Sequence, residues 1–589
     1  MSAHGIRVST PRGNRRIVLR IEDLSKEELL DLLKAAQAKK KYGLVWEHEK
    51  TREHFDFDSR RVLPVLKEKP DWRIETSPNE VQHVLINSDN FYALQILRYT
   101  HARAIDFIYI DPPYNTGNKD FKYNDVFVDR EDTFRHSKWL SFMSKRLSIA
   151  KELLSDRGVV FASIGDDEQA NLKLLMDDIF GESNFVATVP RLTKKGSNKG
   201  TFYAPSKDFI LVYKHTNRTE QFNDRISDEY ASKFKGTDNR GDFATAGLYQ
   251  ASLDPRPNQR YWIECPDGSF VIPPGNVFPT EIRDGAHVKP ETSADRVWRW
   301  SYSSYLKQKD LLVFIKSKRS PMIDQNGQSS NWNVYTKYYL DDREDDGIRP
   351  RDWLDGYLNT GGAAEISKYG LSFSYPKPSG LVKYLLELAH TDDDITVLDF
   401  FAGSGTTGDA VLQLNREDAG RRKFILVTNN EENICDEVTY PRLKKAIEGF
   451  TDGKGKSYPG LGGNLSYFTT EFVERSQNSD EMKARMADHC LDVLCFKEEV
   501  VNELENVKSE FFRIFSNGLK HVAIYTSFDY GHLPSLLKAM NALKGEKKAY
   551  IFSFDNTGLN PRDFESWEDI KVTSMPHKMI ELLGEIHVD

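Results

Sequence analysis

Cysteine is scarce in this chain: 589 residues contain four, Cys265, Cys435, Cys490 and Cys495. They are scattered, and four residues rather than two separate the last pair. Neither a disulfide framework nor a zinc site is supported, so they read as reduced thiols and no metal is expected. Long apolar runs are also missing. None approaches the roughly 18 residues of a bilayer-spanning helix, and the basic N-terminus MSAHGIRVSTPRGNRRIVLRIEDLSKEELL lacks an apolar stretch leading to a small-residue cleavage site. The expectation is a cytoplasmic protein without membrane association. Nor is there an excess of positive charge. With 81 Lys and Arg against 89 Asp and Glu, the net charge is −8. That excludes coating nucleic acid by bulk electrostatics, but it leaves room for a local basic cleft. Internal repeats and low-complexity tracts are absent, which excludes solenoids and fibres.

The composition, 39% hydrophobic and 29% charged, is that of a globular protein. Its length exceeds the roughly 250–300 residues at which a single core stops growing, so two or three domains are expected. Residues 1–80 combine a charged amphipathic segment, Leu24 to Lys41, with VLPVLKEKPDW, and read as an N-terminal extension. From 81 the pattern alternates. VQHVLIN is a strand, FYALQILRYT a helix, and AIDFIYI a strand running into DPPYNTG. SKWLSFMSKRLSIAKELLSDRG then reads as a helix ending at Gly158, before the strand GVVFASI and the helix EQANLKLLMDDIFGE. Such alternation builds a mostly parallel sheet covered by helices. It breaks down over 191–370, read as an inserted domain, and returns over 371–455 with SGLVKYLLELAH, ITVLDFFAGSGTTGDAVLQL and RKFILVTNNEEN. Residues 456–589 read as a small α/β domain, with a charged helical stretch from Ser476 to Phe515 and the strands HVAIYTS and KAYIFSF.

Two motifs carry chemistry. Asp111-Pro112-Pro113-Tyr114 stands where a strand gives way to a loop, the edge at which open α/β sheets bind ligands. An exocyclic amino group on a base is a poor nucleophile because its lone pair is delocalised into the ring. Two fixed acceptors would turn it towards a tetrahedral, attacking geometry, and the Asp111 carboxylate and the Pro112 carbonyl supply two. Tyr114 offers a face for the base. On its own, DPPY reads equally well as a turn. The second motif, Asp399-Phe400-Phe401-Ala402-Gly403-Ser404-Gly405-Thr406-Thr407, lies between the strand TVLDF and the helix GDAVLQL. Its glycines permit close backbone approach, and the helix N-terminus directs amides at negative charge. Gly403, Gly405 and Gly408 also satisfy the dinucleotide fingerprint, which keeps an NAD- or FAD-dependent oxidoreductase open. The strand KFILVT ends near Glu431 and Glu432, where a nucleoside ribose would need a carboxylate; Glu431 is favoured.

Together, AIDFIYIDPPYNTGNKDFKYNDVF, the long stretch HSKWLSFMSKRL to GESNF, YPKPSGLVKYLLELA and LDFFAGSGTT resemble the permuted, β-type DNA amino-methyltransferases, in which the catalytic motif precedes the cofactor motif. The resemblance is nearest to the modification subunits of type III restriction-modification systems. It implies a Rossmann-like methyltransferase fold, with 81–190 and 371–455 forming the catalytic and cofactor parts. S-adenosyl-L-methionine would be the cofactor, bound by Asp399, Phe401, Gly403, Gly405 and Thr406, with Glu431 on the ribose. Asp89 would contact the adenine, and Lys377 would lie near the methionine carboxylate. Asp111, Pro112, Pro113 and Tyr114 become the catalytic loop. The implied reaction is methylation of N6 of an adenine flipped out of double-stranded DNA, with cytosine N4 as the alternative. The insert at 191–370 would recognise the target, and its segments PRLTKKGSNKGTFY and RVWRWSYSSYLKQKDLLVFIKSKR read as a DNA-gripping surface or, more blandly, as a basic face over Trp298 and Trp300. Residues 456–589 would serve homodimerisation or docking of a separate restriction (helicase and nuclease) subunit.

Overall fold

The computed structural model describes residues 61–584 except for short stretches, the longest being 224–232 and 343–349. Within 1–60 it describes the paired strands Gly5–Val8 and Ile17–Arg20 together with Trp46 and Glu53. The amphipathic segment expected from Leu24 to Lys41 lies outside the described residues.

Apolar runs buried on both faces, such as Ile105–Ile110, form the centre of a nine-stranded sheet. In chain order the strands are β1 (Val62–Glu68), β2 (Gln82–Asn87), β3 (Ile105–Ile110), β4 (Leu154–Ile164), β5 (Phe185–Leu192), β6 (Lys207–Lys214), β7 (Thr396–Asp399), β8 (Lys423–Thr428) and β9 (Asn464–Glu474). In space they run β1-β9-β2-β8-β7-β3-β4-β6-β5. The stretch from β9 to β4 is parallel throughout, whereas β1 and the hairpin β5–β6 are antiparallel edges. The permuted motif order is thereby reconciled in space. β7, which carries the Gly-rich turn, lies directly between β3, which carries DPPY, and β8, which leads to Glu431. The helices that pack around these strands include α1 (Asn90–Thr100), α2 (Arg135–Leu153), α3 (Gln169–Phe180), α4 (Ser379–Ala389), α5 (Thr406–Asp418), α6 (Tyr440–Glu448) and α7 (Ser479–Glu498).

The fold class is as expected, an α/β Rossmann-like sheet, but several boundaries differ. Helix α2 ends at Leu153 rather than Gly158, because Leu154 already pairs with Ile105 in the parallel ladder. VLPVLKE, read as part of an extension, is the edge strand β1, held by β9 from beyond residue 455. KDFILVYK, read as part of the insert, is β6 and pairs with β4. The chain divides into one compact unit of residues 1–220 with 352–589 and a second of 221–351, smaller than the expected 191–370. That second unit contains an antiparallel sheet of Gly236–Asp238, Gly241–Gly247, Trp332–Tyr339 and Leu312–Lys316. Tyr261, Trp298, Tyr305 and Trp332 share its core, so Trp298 is structural, with Trp300 packed against it. In the C-terminal region α7 stops at Glu498, where Glu499 turns left-handed, and a five-stranded sheet follows in place of the expected helical stretch to Phe515. Among the described residues no helix is long and apolar enough to cross a membrane.

Candidate active site

The C-terminal ends of β2, β8, β7 and β3 are neighbours, so the residues that follow them, Asp89, Glu431, Phe400 and Asp111, stand along one sheet edge. A cavity of about 880 Å³ opens there, within the range of small-molecule sites. Asp89, Pro113, Phe142, Arg146, Phe401 and Glu431 are among its walls.

Each wall is held from behind. Asp89 caps α1, accepting from the Phe91 amide at 2.7 Å, and pairs with Arg146 at 3.2 Å. Arg146 is fully buried. It also pairs with Glu53, donates to the Phe142 carbonyl at 2.9 Å and lies 3.6 Å over the Phe142 ring. Burial pushes the Glu53 carboxyl above its ordinary range, although Arg146 and Lys145 oppose the shift. Glu431 is half exposed and pairs with Lys122 of the hairpin formed by Lys122–Tyr123 and Val126–Phe127. None of Glu53, Arg146, Phe142 and Lys122 was singled out from sequence; Arg146 looks like an ordinary solvated residue on a charged helix.

The Gly-rich turn joins β7 to α5. Gly403 and Gly405 take left-handed φ values of +47° and +78°, favoured by glycine. A Cβ on Gly405 would lie 3.2 Å from Thr439 Cγ2 of the helical turn before α6, so the close approach is to that turn. The Asp399 carboxylate accepts from the Phe401 amide at 2.9 Å and the Thr407 hydroxyl at 2.6 Å, and burial pushes it up to about 7. Thr406 donates to the Lys377 carbonyl at 3.2 Å. Asp399, Gly403, Gly405 and Thr406 thus brace the turn from behind, whereas Phe401 faces the cavity.

Lys377 departs from expectation. Its ammonium donates to Asp111 Oδ2 at 2.5 Å and to the Tyr114 hydroxyl at 3.1 Å, so it serves the DPPY loop and not the far end of the cavity. Asp111 Oδ1 is buried without a hydrogen-bond partner. Pro112 is buried, and the Pro113 carbonyl accepts from Trp139 at 2.8 Å. The Tyr114 hydroxyl donates to Asp208 at 3.1 Å, and Asp208 is clamped by Arg191 at 2.9 and 2.5 Å. Burial, with Asp111 and Asp208 close by, holds the Tyr114 phenol well above its ordinary range, so it stays neutral. One face of its ring lies against Gly165, where a Cβ would come within 2.7 Å of Cδ2. Asn115, left-handed at φ +55°, donates to the fully buried Glu168, which also takes His136 at 2.6 Å. Arg191, read as part of a DNA-gripping surface, is buried in this network. Asp208 and Gly165 carry no sequence signal of their own. Among the described residues no group of metal-ligating side chains occurs.

The DNA methylase family matches residues 105–439. The chain is 34% identical over 406 residues to the Mod subunit of the type III restriction-modification enzyme StyLTI of Salmonella typhimurium, covering 62% of this chain and 56% of that one. It is 29% identical over 450 residues to the EcoPI Mod subunit of Escherichia phage P1, covering 69% and 66%. With the type II methyltransferase M.KpnI of Klebsiella pneumoniae it shares 30% identity over 396 residues, covering 62% and 88%. The match thus spans less than two thirds of either Mod subunit.

Proposed function

Because the chain belongs to the DNA methylase family, we propose that it transfers a methyl group from S-adenosyl-L-methionine to N6 of adenine in double-stranded DNA, as the modification and recognition subunit of a type III restriction-modification system. The Mod-subunit relatives support the system, and a DNA substrate implies work in the cytoplasm. The observation that carries the chemistry is the Asp111 carboxylate, with Oδ2 fixed by Lys377 and Oδ1 buried and unpartnered. Such an oxygen is costly to leave unmatched, and a base amino group supplies the missing donor.

The cavity fits the cofactor in size and in donor set: a carboxylate at Glu431, an aromatic wall at Phe401 and a polar corner at Asp89. When bound, S-adenosyl-L-methionine supplies an electrophilic methyl group. Asp111 Oδ1 and the Pro112 carbonyl accept the two amino hydrogens and draw the nitrogen lone pair out of conjugation. That pair would then be open to the methyl group the cofactor supplies, and the nitrogen would release its surplus proton to solvent. Lys377 keeps the Asp111 carboxylate oriented, and the Tyr114 ring stacks on the base. Stacking is worth about 1–3 kcal/mol, comparable to the few kcal/mol needed to extrude a base. We assign target recognition to the inserted unit, and homodimerisation or docking of a restriction subunit to the region after 456.

The test is mass spectrometry of nucleosides after incubating plasmid DNA with the protein and isotopically labelled cofactor, with sequencing to map the modified site. Labelled N6-methyladenine is expected. Labelled N4-methylcytosine would keep the mechanism and change the base. Asp111→Ala should abolish transfer while leaving cofactor affinity within about threefold; wild-type turnover in that variant would overturn the assignment.

A further inference from the structure

The three most exposed large apolar side chains among the described residues lie in two segments that each lead to the DPPY network. Phe202 is 93% exposed, Tyr203 92% and Tyr375 83%. Phe202 and Tyr203 belong to the loop TKKGSNKGTFYAPS joining β5 to β6, which leaves the sheet just beyond the Arg191–Asp208 pair that holds the Tyr114 hydroxyl. Tyr375 is two residues from Lys377, whose ammonium touches Asp111, and follows Phe373 and Ser374 in the cavity wall. All three aromatics therefore attach to backbone anchored at the DPPY loop.

Two further features indicate what these rings meet. Tyr375 has φ +60°, a left-handed conformation that a bulky residue adopts only under constraint and that glycine would adopt freely. That constraint holds its ring in water. The β5–β6 loop contains three lysines and no carboxylate in a chain of net charge −8. Aromatic faces interleaved with cations suit unstacked bases on a phosphate backbone.

Building on the methyltransferase reading, we propose that Phe202, Tyr203 and Tyr375 form an aromatic rim that stacks on the bases exposed when the target nucleotide leaves the duplex, the hairpin pair filling the vacated gap. The occupant is double-stranded DNA with one nucleotide extruded.

The experiment compares wild type, Phe202→Ala/Tyr203→Ala and Tyr375→Ala on two duplexes carrying the mapped site, one fully paired and one with an abasic position opposite the target. Because these side chains are exposed, their truncation should leave the fold and cofactor affinity unchanged. On paired DNA each variant should be slower by about 10- to 100-fold, the loss expected from removing stacking rings, with weaker 2-aminopurine fluorescence at the target position. On the abasic duplex, where extrusion is easier, rates should return to within about threefold of wild type. Equal rates of variants and wild type on paired DNA would overturn the proposal. So would an undiminished loss on the abasic duplex, or variants active on both DNAs that no longer retain a restriction subunit, which would make the rim a protein-docking site. Wild type that labels no duplex would instead overturn the methyltransferase reading, and this proposal with it.

Discussion

Replacing Asp208 with leucine tests the network behind the DPPY loop. Arg191 is fully buried and donates two hydrogen bonds to this carboxylate's oxygens, at 2.9 and 2.5 Å. Removing one member of a buried pair typically costs about 3–5 kcal/mol, mostly through the charge left behind. Arg191 would keep the Tyr357 carbonyl at 2.6 Å and Asn359 Oδ1 at 2.9 Å, which favours the lower end. The lost Tyr114 hydrogen bond adds about 1 kcal/mol, for a total near 4 kcal/mol. Arg191→Leu leaves Asp208 with the Tyr114 hydroxyl and the Lys377 ammonium, 4.0 Å away, and should cost less, about 2–3 kcal/mol. The double leucine variant strands neither charge. It should be no worse than Arg191→Leu alone, a coupling of about 4 kcal/mol or more. Urea unfolding of the four proteins, with slopes compared to check that the same surface is exposed, reads this directly. Losses that add within about 0.5 kcal/mol would refute the argument, because they would mean that neither charge depends on the other.

Gly165→Ala places a methyl 2.7 Å from Tyr114 Cδ2, so it should displace the ring and cut turnover at least about tenfold with cofactor affinity retained; unchanged turnover on mapped DNA would show the ring free to adjust. Asp399, pushed up to about 7 by burial, holds its proton more tightly when folded. Wild-type stability should therefore fall as pH rises from about 4 to 7, by at most about 1.4 kcal/mol per unit, and level off above. Asp399→Asn lacks this dependence and should gain on wild type across that window; parallel urea midpoints for the two proteins would exclude the effect. Glu431→Gln removes the charge facing Lys122 and leaves a single neutral amide oxygen in place of the carboxylate assigned to the ribose, and calorimetry should find cofactor binding weaker by about tenfold. Unaltered affinity would move the ribose elsewhere.

The parallel core was legible because IDFIYI, TVLD and KFILVT are short, mainly apolar runs, each leading into polar or glycine-rich sequence at the edge where the cavity opens. The relation between the two motifs was legible for the same reason. What the sequence withheld were pairings across distance. VLPVLKE and KDFILVYK read as strands or near-strands, yet only partners far along the chain assign them to the main sheet. Lys377 and Arg191 look alike as basic residues; only their neighbours show that one pairs with Asp111 of the DPPY loop and the other with Asp208 behind Tyr114. Asp399 has the chemistry of a ligand contact but the location of a brace, which depends on the φ angles of the turn it caps.

The strand order also bears on how the protein is made. β2 and β3 are consecutive in the chain, yet β8 and β7 lie between them. β3, β4, β6 and β5 can pair early, whereas β2 waits for strands ending at Thr428. At about 5–20 residues per second the ribosome needs on the order of tens of seconds to supply them. Through that interval β3, buried on every residue in the finished molecule, offers an open edge of unpaired amides and apolar side chains. The yield of newborn protein therefore depends on shielding that edge, and chaperone depletion should send nascent chains into aggregates even though β3 is flanked by β7 and β4 in the completed sheet.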